Sequence, residues 1–201
     1  KDNAKLINSI ENNFDIENEI FLGDITKVKS TPKADLIVGG VPCQAWSVAG
    51  KKKGFDDPRG KLWEDTIRVV KKNKPKVFIF ENVEGLLKSK WSTEGSKGEI
   101  FNDILWTFKN KTEEYDVRFK LLHAKDYGVP QRRPRVFIIG VRDGFITANS
   151  DSDDAVEAGF LPNPTYDYPN LIDVLSDIVD EDFEYGGETS SYPLSVQSDF
   201  Q

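Results

Sequence analysis

Apolar positions along the first 141 residues switch repeatedly between two spacings. Ala4, Ile7 and Ile10 recur at helical intervals and predict a helix over residues 3–13. Ile20-Phe21-Leu22 reads as a short strand closing on Gly23-Asp24-Ile25, and residues 35–39 read as a second, buried strand. Residues 50–60 are rich in Gly, Lys and Asp and contain Pro58, which predicts a loop. Leu62, Ile67 and Val70 mark one face of a helix running from Leu62 to about Lys72, and Pro75 stops it. Residues 76–80 supply the next strand. A helix follows at about 99–109 after a Ser/Gly/Lys stretch, and Val117–Leu122 and Val136–Val141 are further strands. Strands alternating with helices predict an α/β sheet with helices on its faces.

The character changes after Gly140. Residues 148–170 are polar, acidic and proline-containing, Leu171–Val179 has the pattern of a short amphipathic helix, and 180–201 is acidic and rich in Tyr, Ser and Gly. This places a partial catalytic domain at 1–145 and an acidic segment at 146–201. The formal charge of −7 is therefore segregated. From Asp151 onward there are 13 acidic residues and no Lys or Arg, so the first 150 residues carry +6, with 27 basic against 21 acidic side chains. Lys51-Lys52-Lys53, Arg59, Lys61, Arg68, Lys71, Lys72, Lys74 and Lys76 form a stripe that could meet phosphates or be an ordinary solvated face. With 38% hydrophobic and 30% charged residues, the composition is that of a globular protein. No apolar run approaches the roughly 18 residues of a membrane span. One cysteine and one histidine argue against a disulfide framework and against a Cys/His metal site, so no metal is expected.

That one cysteine is Cys43, in Gly39-Gly40-Val41-Pro42-Cys43-Gln44-Ala45-Trp46-Ser47, directly after a predicted strand. Ligands of open α/β sheets lie beyond the carboxyl ends of the strands, and Asp24, Cys43 and Glu81 all fall at such ends. Two further segments supply an acid and an anion clamp: Glu81-Asn82-Val83 and Gln131-Arg132-Arg133-Pro134-Arg135. Each alone is weak evidence. A lone cysteine is usually a small buried hydrophobe, Asn82 and Gln44 could satisfy loop backbone groups, and Asp24 could be a loop cap. No Gly-x-Gly-x-x-Gly fingerprint is present.

In order and spacing these segments resemble the core of the DNA (cytosine-5) methyltransferases, from about Lys1 to Val141. Gly23-Asp24-Ile25 matches the family's third segment, and Val41–Ser47 matches its nucleophile loop. Residues 50–62 match its mobile loop, Pro75–Leu86 its Glu-Asn-Val segment, and Leu122–Arg135 its Gln-x-Arg-x-Arg segment. The resemblance implies a Rossmann-like S-adenosylmethionine-dependent methyltransferase sheet with helices on both faces, N-terminally truncated. It also implies methyl transfer from S-adenosylmethionine to C5 of a cytosine flipped out of double-stranded DNA. By the same resemblance Cys43 adds to C6, Glu81 holds or protonates N3, and Arg133 and Arg135 bind the base carbonyl and a nearby phosphate. Asn82 would orient the cysteine loop, while Asp24, Ile25, Pro42 and Leu62 would line the cofactor pocket. Gln44, Ser47, Arg59 and Gln131 would belong to the segments closing over the substrate.

Three residues depart from the family pattern: Pro134 stands between the arginines in place of Glu, His123 in place of Asn, and Trp46 in place of Phe. The Phe-x-Gly-x-Gly segment that opens the cofactor site is not found, nor is the acidic residue that binds the ribose. We therefore expect residues 1–201 alone to bind S-adenosylmethionine weakly or not at all and to transfer no methyl group. The expected parent is a monomeric, cytoplasmic enzyme of a prokaryotic or phage modification system, acting at the nucleoid. The rival readings are an RNA cytosine-5 methyltransferase and a non-catalytic DNA-binding relative.

Overall fold

A computed structural model describes residues 23–41, 62–90, 94–168 and 170–175. Among these, four strands form one sheet: β1 (Leu36–Gly40), β2 (Val77–Val83), β3 (Tyr115–His123) and β4 (Pro134–Arg142), in the order β1-β2-β4-β3. β1 and β2 are parallel, and β4 runs antiparallel to both β2 and β3. The helices are α1 (Leu62–Asn73), α2 (Glu99–Lys111) and the short α3 (Leu171–Leu175). Within the described residues the pattern-derived strands and helices are present, several of them longer than predicted, while the predicted helix over 3–13, the strand Ile20-Phe21-Leu22, the loop 50–60 and residues 176–179 lie outside the described residues. β2 differs most, because it continues past Phe80 and takes Glu81 and Asn82 into the ladder opposite Phe137 and Val136. Pairing with β4 overrides the low strand preference of those two polar residues.

Alternation along β2 sorts its side chains onto two faces. Phe78 and Phe80 join Val117, Val136 and Ile138 in the larger core, under Trp63, Ile67 and Val70 of α1 and Ile100, Phe101, Ile104, Leu105 and Phe108 of α2. The helical residues recur every three to four positions, so each helix presents one apolar stripe. Aromatic rings dominate the contact: Trp63 meets Phe80 and Phe108 edge-on at 6.4 and 5.8 Å, and Phe78 lies 5.3 Å from both Phe80 and Tyr115. The α1 helix ends where Lys74 enters the left-handed region (φ 54°) just ahead of Pro75.

Ile139 and Val141, with Val77 and Ile79 beside them, face the other way and are covered by Ala155, Ala158 and Phe160. That cover is tied to β3 by Phe119 N–H to Asp153 O (3.0 Å) and Ala155 N–H to Phe119 O (3.0 Å). Ion pairs Lys109–Asp153 and Lys120–Asp154 add to it. The first part of the acidic segment thus packs on the sheet. Among the described residues no helix is long and apolar enough to cross a membrane, and no group of three or more His, Cys, Asp or Glu is placed to hold a metal ion.

Gly140 lies opposite Phe78, and its missing side chain makes room for that ring: a Cβ there would come within 2.2 Å of ring carbons. Phe78 is fully buried and cannot swing away. Gly140→Ala is therefore expected to lower the unfolding free energy by about 1–3 kcal/mol, the usual cost of overpacking. Urea denaturation measures this, and adding Phe78→Leu should recover part of the loss.

Candidate active site

Because β1 and β2 are parallel, their carboxyl ends share an edge, and antiparallel β4 brings its amino end to the same edge. Gly40 lies opposite Glu81, and Val83 opposite Arg135. Glu81 and Arg135 are diagonal neighbours on one face, within reach of each other. Arg135 Nε donates to Glu81 Oε1 at 2.6 Å, and Arg135 Nη1 donates to the Pro134 carbonyl at 2.8 Å. Their side chains are 22% and 38% exposed, so the pair is held by the sheet yet open to an incoming ligand.

Asn82 points to the opposite, buried face. Its Nδ2 donates to the Val41 carbonyl at 2.9 Å, and its Oδ1 accepts the Val83 N–H at 2.9 Å. Val41 is itself buried, so the chain leaves β1 toward Pro42-Cys43 from a fixed point. Pro42, Cys43, Gln44, Ser47 and Arg59 lie outside the described residues.

Pro134 fits the ladder. Ala124 N–H donates to Arg133 O at 3.2 Å, the bond that flanks a non-hydrogen-bonded pair, and His123 faces Pro134 in that pair. No N–H is needed from residue 134, and proline is tolerated as the first residue of a strand. Ahead of it, Gln131 N–H bonds Val129 O (2.7 Å) and Arg133 N–H bonds Gln131 O (3.0 Å). These tight i→i+2 turns leave Gln131, Arg132 and Arg133 exposed. Arg135, not Arg133, is the arginine that the structure joins to Glu81.

On the other side of β1, Asp24 opens a turn. Its Oδ1 accepts the Thr26 hydroxyl (2.8 Å) and the Thr26 N–H (3.0 Å). These bonds, the hydroxyl first, hold the Asp24 carboxyl below an ordinary aspartate. Asp24 thus has the loop-cap geometry, and its Oδ2 lies 3.7 Å from Lys27 Nζ. Arg68 of α1 clamps the turn, donating to the Ile25 and Val28 carbonyls at 2.6 and 2.7 Å while paired with Asp65 at 3.0 Å. The sequence showed Arg68 only as one cation in a basic stripe, and nothing in its spacing pointed to those carbonyls. Ile25 and Leu62 then line a cavity of about 180 Å³ with Ile37, Gly39, Gly40, Val41 and Phe80. Ligand pockets begin at roughly 300 Å³. The described residues thus form one apolar wall.

Two measurements probe this scaffold. Asn82→Ala leaves the buried Val41 carbonyl without its donor, and a loss of about 1–3 kcal/mol is expected in denaturant unfolding. In an NMR titration the Asp24 carboxyl should titrate below an ordinary aspartate, and Thr26→Val should move it back up. A carboxyl with a depressed folded pKa stabilises the fold above its unfolded pKa, and that contribution disappears as pH falls through the folded value. An unchanged midpoint in Thr26→Val would refute the capping account.

The sequence and fold also have known counterparts. The C-5 cytosine-specific DNA methylase family matches residues 2–196. The chain is 54% identical over 121 residues to the type II methyltransferase M.HgiCII of Herpetosiphon aurantiacus, covering 60% of this chain and 26% of that protein. It is 38% identical over 163 residues to the type II methyltransferase M1.ScrFI of Lactococcus lactis subsp. cremoris, covering 80% and 38%. A DNA modification methyltransferase encoded within an E. coli prophage superposes with a TM-score of 0.52 at 29% identity, over 73% of this chain and 35% of that one. The chain thus spans about a quarter to two-fifths of the length of these relatives. A match running almost from end to end, through the segments that carry Glu81, Asn82 and Arg135, means that the chain belongs to the C-5 cytosine-specific DNA methylase family.

Proposed function

We propose that these residues supply the catalytic side of a DNA (cytosine-5) methyltransferase, acting on a cytosine flipped out of duplex DNA. One observation carries the reading: the Glu81–Arg135 pair stands at the sheet edge where Asn82 fixes Val41, two residues ahead of Cys43.

Carbon 5 of cytosine is a poor nucleophile. A thiolate bonding to C6 moves the C5–C6 π electrons toward C5 and the ring nitrogen, making C5 enamine-like. Cys43 is the group for that bond, and its thiolate, not its thiol, is the reactive form. Glu81 holds N3 of the base and, when protonated, donates to it, offsetting charge pushed into the ring. Arg135 fixes the Glu81 carboxyl and offers its remaining N–H groups to the base carbonyl. Arg133, exposed on the preceding loop, reaches a phosphate. Asn82 is a positioning residue, acting through the Val41 carbonyl. S-adenosylmethionine would supply the methyl group. Asp24 would accept from its adenine amino group, and Ile25, Pro42 and Leu62 would contact its apolar faces. Loss of the C5 proton to a base and departure of the Cys43 sulfur then restore the C5–C6 double bond.

The test is a chimaera in which the matching residues of this chain replace those of M.HgiCII. With S-adenosylmethionine and a duplex carrying 5-fluorocytosine, no C5 proton can leave, and a covalent adduct at Cys43 is expected. Cys43→Ser should abolish it, and Glu81→Gln should slow methyl transfer on ordinary DNA by about 10²–10⁴-fold. Undiminished transfer by Cys43→Ser would overturn the mechanism.

A further inference from the structure

Beside the candidate site, the loop carrying Gln131 and Arg132 borders an open recess of about 290 Å³, lined also by Lys125, Val129 and Tyr168. Lys125 Nζ lies 4.5 Å above the Tyr168 ring and 2.9 Å from Asp126 Oδ1, and the Tyr168 hydroxyl donates to the same oxygen at 3.4 Å. The Asp126 carbonyl accepts the N–H groups of Thr165 (2.9 Å) and Tyr166 (3.1 Å). Those bonds hold Tyr166 at φ 56°, a left-handed conformation that is costly for a bulky residue. The Tyr166 and Tyr168 rings are 6.3 Å apart and more than half exposed, at 62% and 51%. Arg132 is turned outward and makes no ion pair with a described residue. Lys125, Arg132 and the Tyr168 ring therefore line one recess, with the Tyr166 ring beside it, and the loop carrying Arg132 leads through Arg133 to Arg135.

We propose that this recess binds the sugar–phosphate backbone of duplex DNA, on the strand that flanks the base held at Glu81 and Arg135. The inference rests on the DNA methyltransferase reading and adds to it a backbone-positioning site. The chemistry fits. Lys125 is pinned by one carboxylate and one ring, which leaves ammonium donors for a phosphate oxygen. Arg132 offers a planar fork. Exposed tyrosines give hydroxyl donors and flat surfaces for deoxyribose, as at other phosphate-positioning contacts. The recess is open to solvent, so a polymer backbone can pass across it.

The experiment measures binding of the 201-residue chain to a short duplex across a salt series, by fluorescence anisotropy. Each phosphate contact contributes about 0.9 to the slope of log K against log salt. The double variant Lys125→Ala/Arg132→Ala should therefore flatten the slope by roughly 2, whereas Lys125→Arg should preserve it. Tyr168→Ala should weaken binding with the slope kept, and Lys111→Ala, on α2, should change neither. Circular dichroism confirms that each variant is folded. An unchanged slope in the double variant, no DNA binding by the unmodified chain, or tighter binding to an RNA duplex of the same sequence would overturn the inference. The chimaera separates the two claims. A Cys43 adduct with an unchanged slope removes the recess alone, whereas a flattened slope with no adduct keeps the recess and removes the catalytic reading.

Discussion

The direction of β4 is the constraint on which the rest depends. It enters the sheet against β2, so its first residues lie beside the last residues of β2. A parallel β4 would carry Arg135 to the far edge, away from Glu81. The antiparallel insertion puts acid and guanidinium 2.6 Å apart from two distant stretches of sequence. The parallel β1–β2 pair then delivers the exit toward Cys43 to the same edge, with Gly40 opposite Glu81.

Register carries that arrangement into the core. Strand side chains alternate, so a slip of one residue between β2 and β4 would exchange their faces. Glu81 would be driven under the helices and Asn82 out to solvent. The slip is opposed by the rings of Phe78 and Phe80, locked between Trp63, Phe108 and Tyr115, and by the fit of Phe78 over Gly140. Packing of this aromatic cluster and the geometry of the site are thus one constraint seen from two faces of the same strand. Asn82 belongs to both, buried like a core residue and bonded like a site residue.

Much of this was legible in the sequence, because periodicity reports burial and burial organises the sheet. The stripe of Ile67 and Val70 and the run 136–141 mark the elements that form the core. Periodicity lost track where polar groups are held by distant partners. Glu81 and Asn82 read as lying past a strand, yet they lie inside it because β4 supplies the ladder. Ala155, Ala158 and Phe160 were hidden among acidic neighbours, although they cover the second face of the sheet. Pro134, a departure from the family pattern between two arginines, brings no N–H, and the pairing pattern asks for none there. The nucleophile loop falls outside the described residues, so its reading rests on the motif and on the anchored Val41.

The same contrast decides where a polyanion can bind. The sequence places many cations just after Cys43, yet several of those described are engaged within the fold. Arg68 clamps the Asp24 turn, Lys72 caps the Lys29 carbonyl, Lys74 pairs with Glu114, and Lys76 with Asp35. Charge counted along the chain therefore overstates what α1 and the turn after it can offer a phosphate. Arg132 and Arg133, on a loop fixed by two tight turns, make no such pairs with described residues and open onto the edge that holds Glu81 and Arg135. Backbone contacts fix the register of a duplex while base contacts do the chemistry. A cationic surface adjoining Arg135 serves the first role most readily through Arg132 and Arg133, with Lys125 adding the ammonium donors that its pairing with Asp126 leaves over.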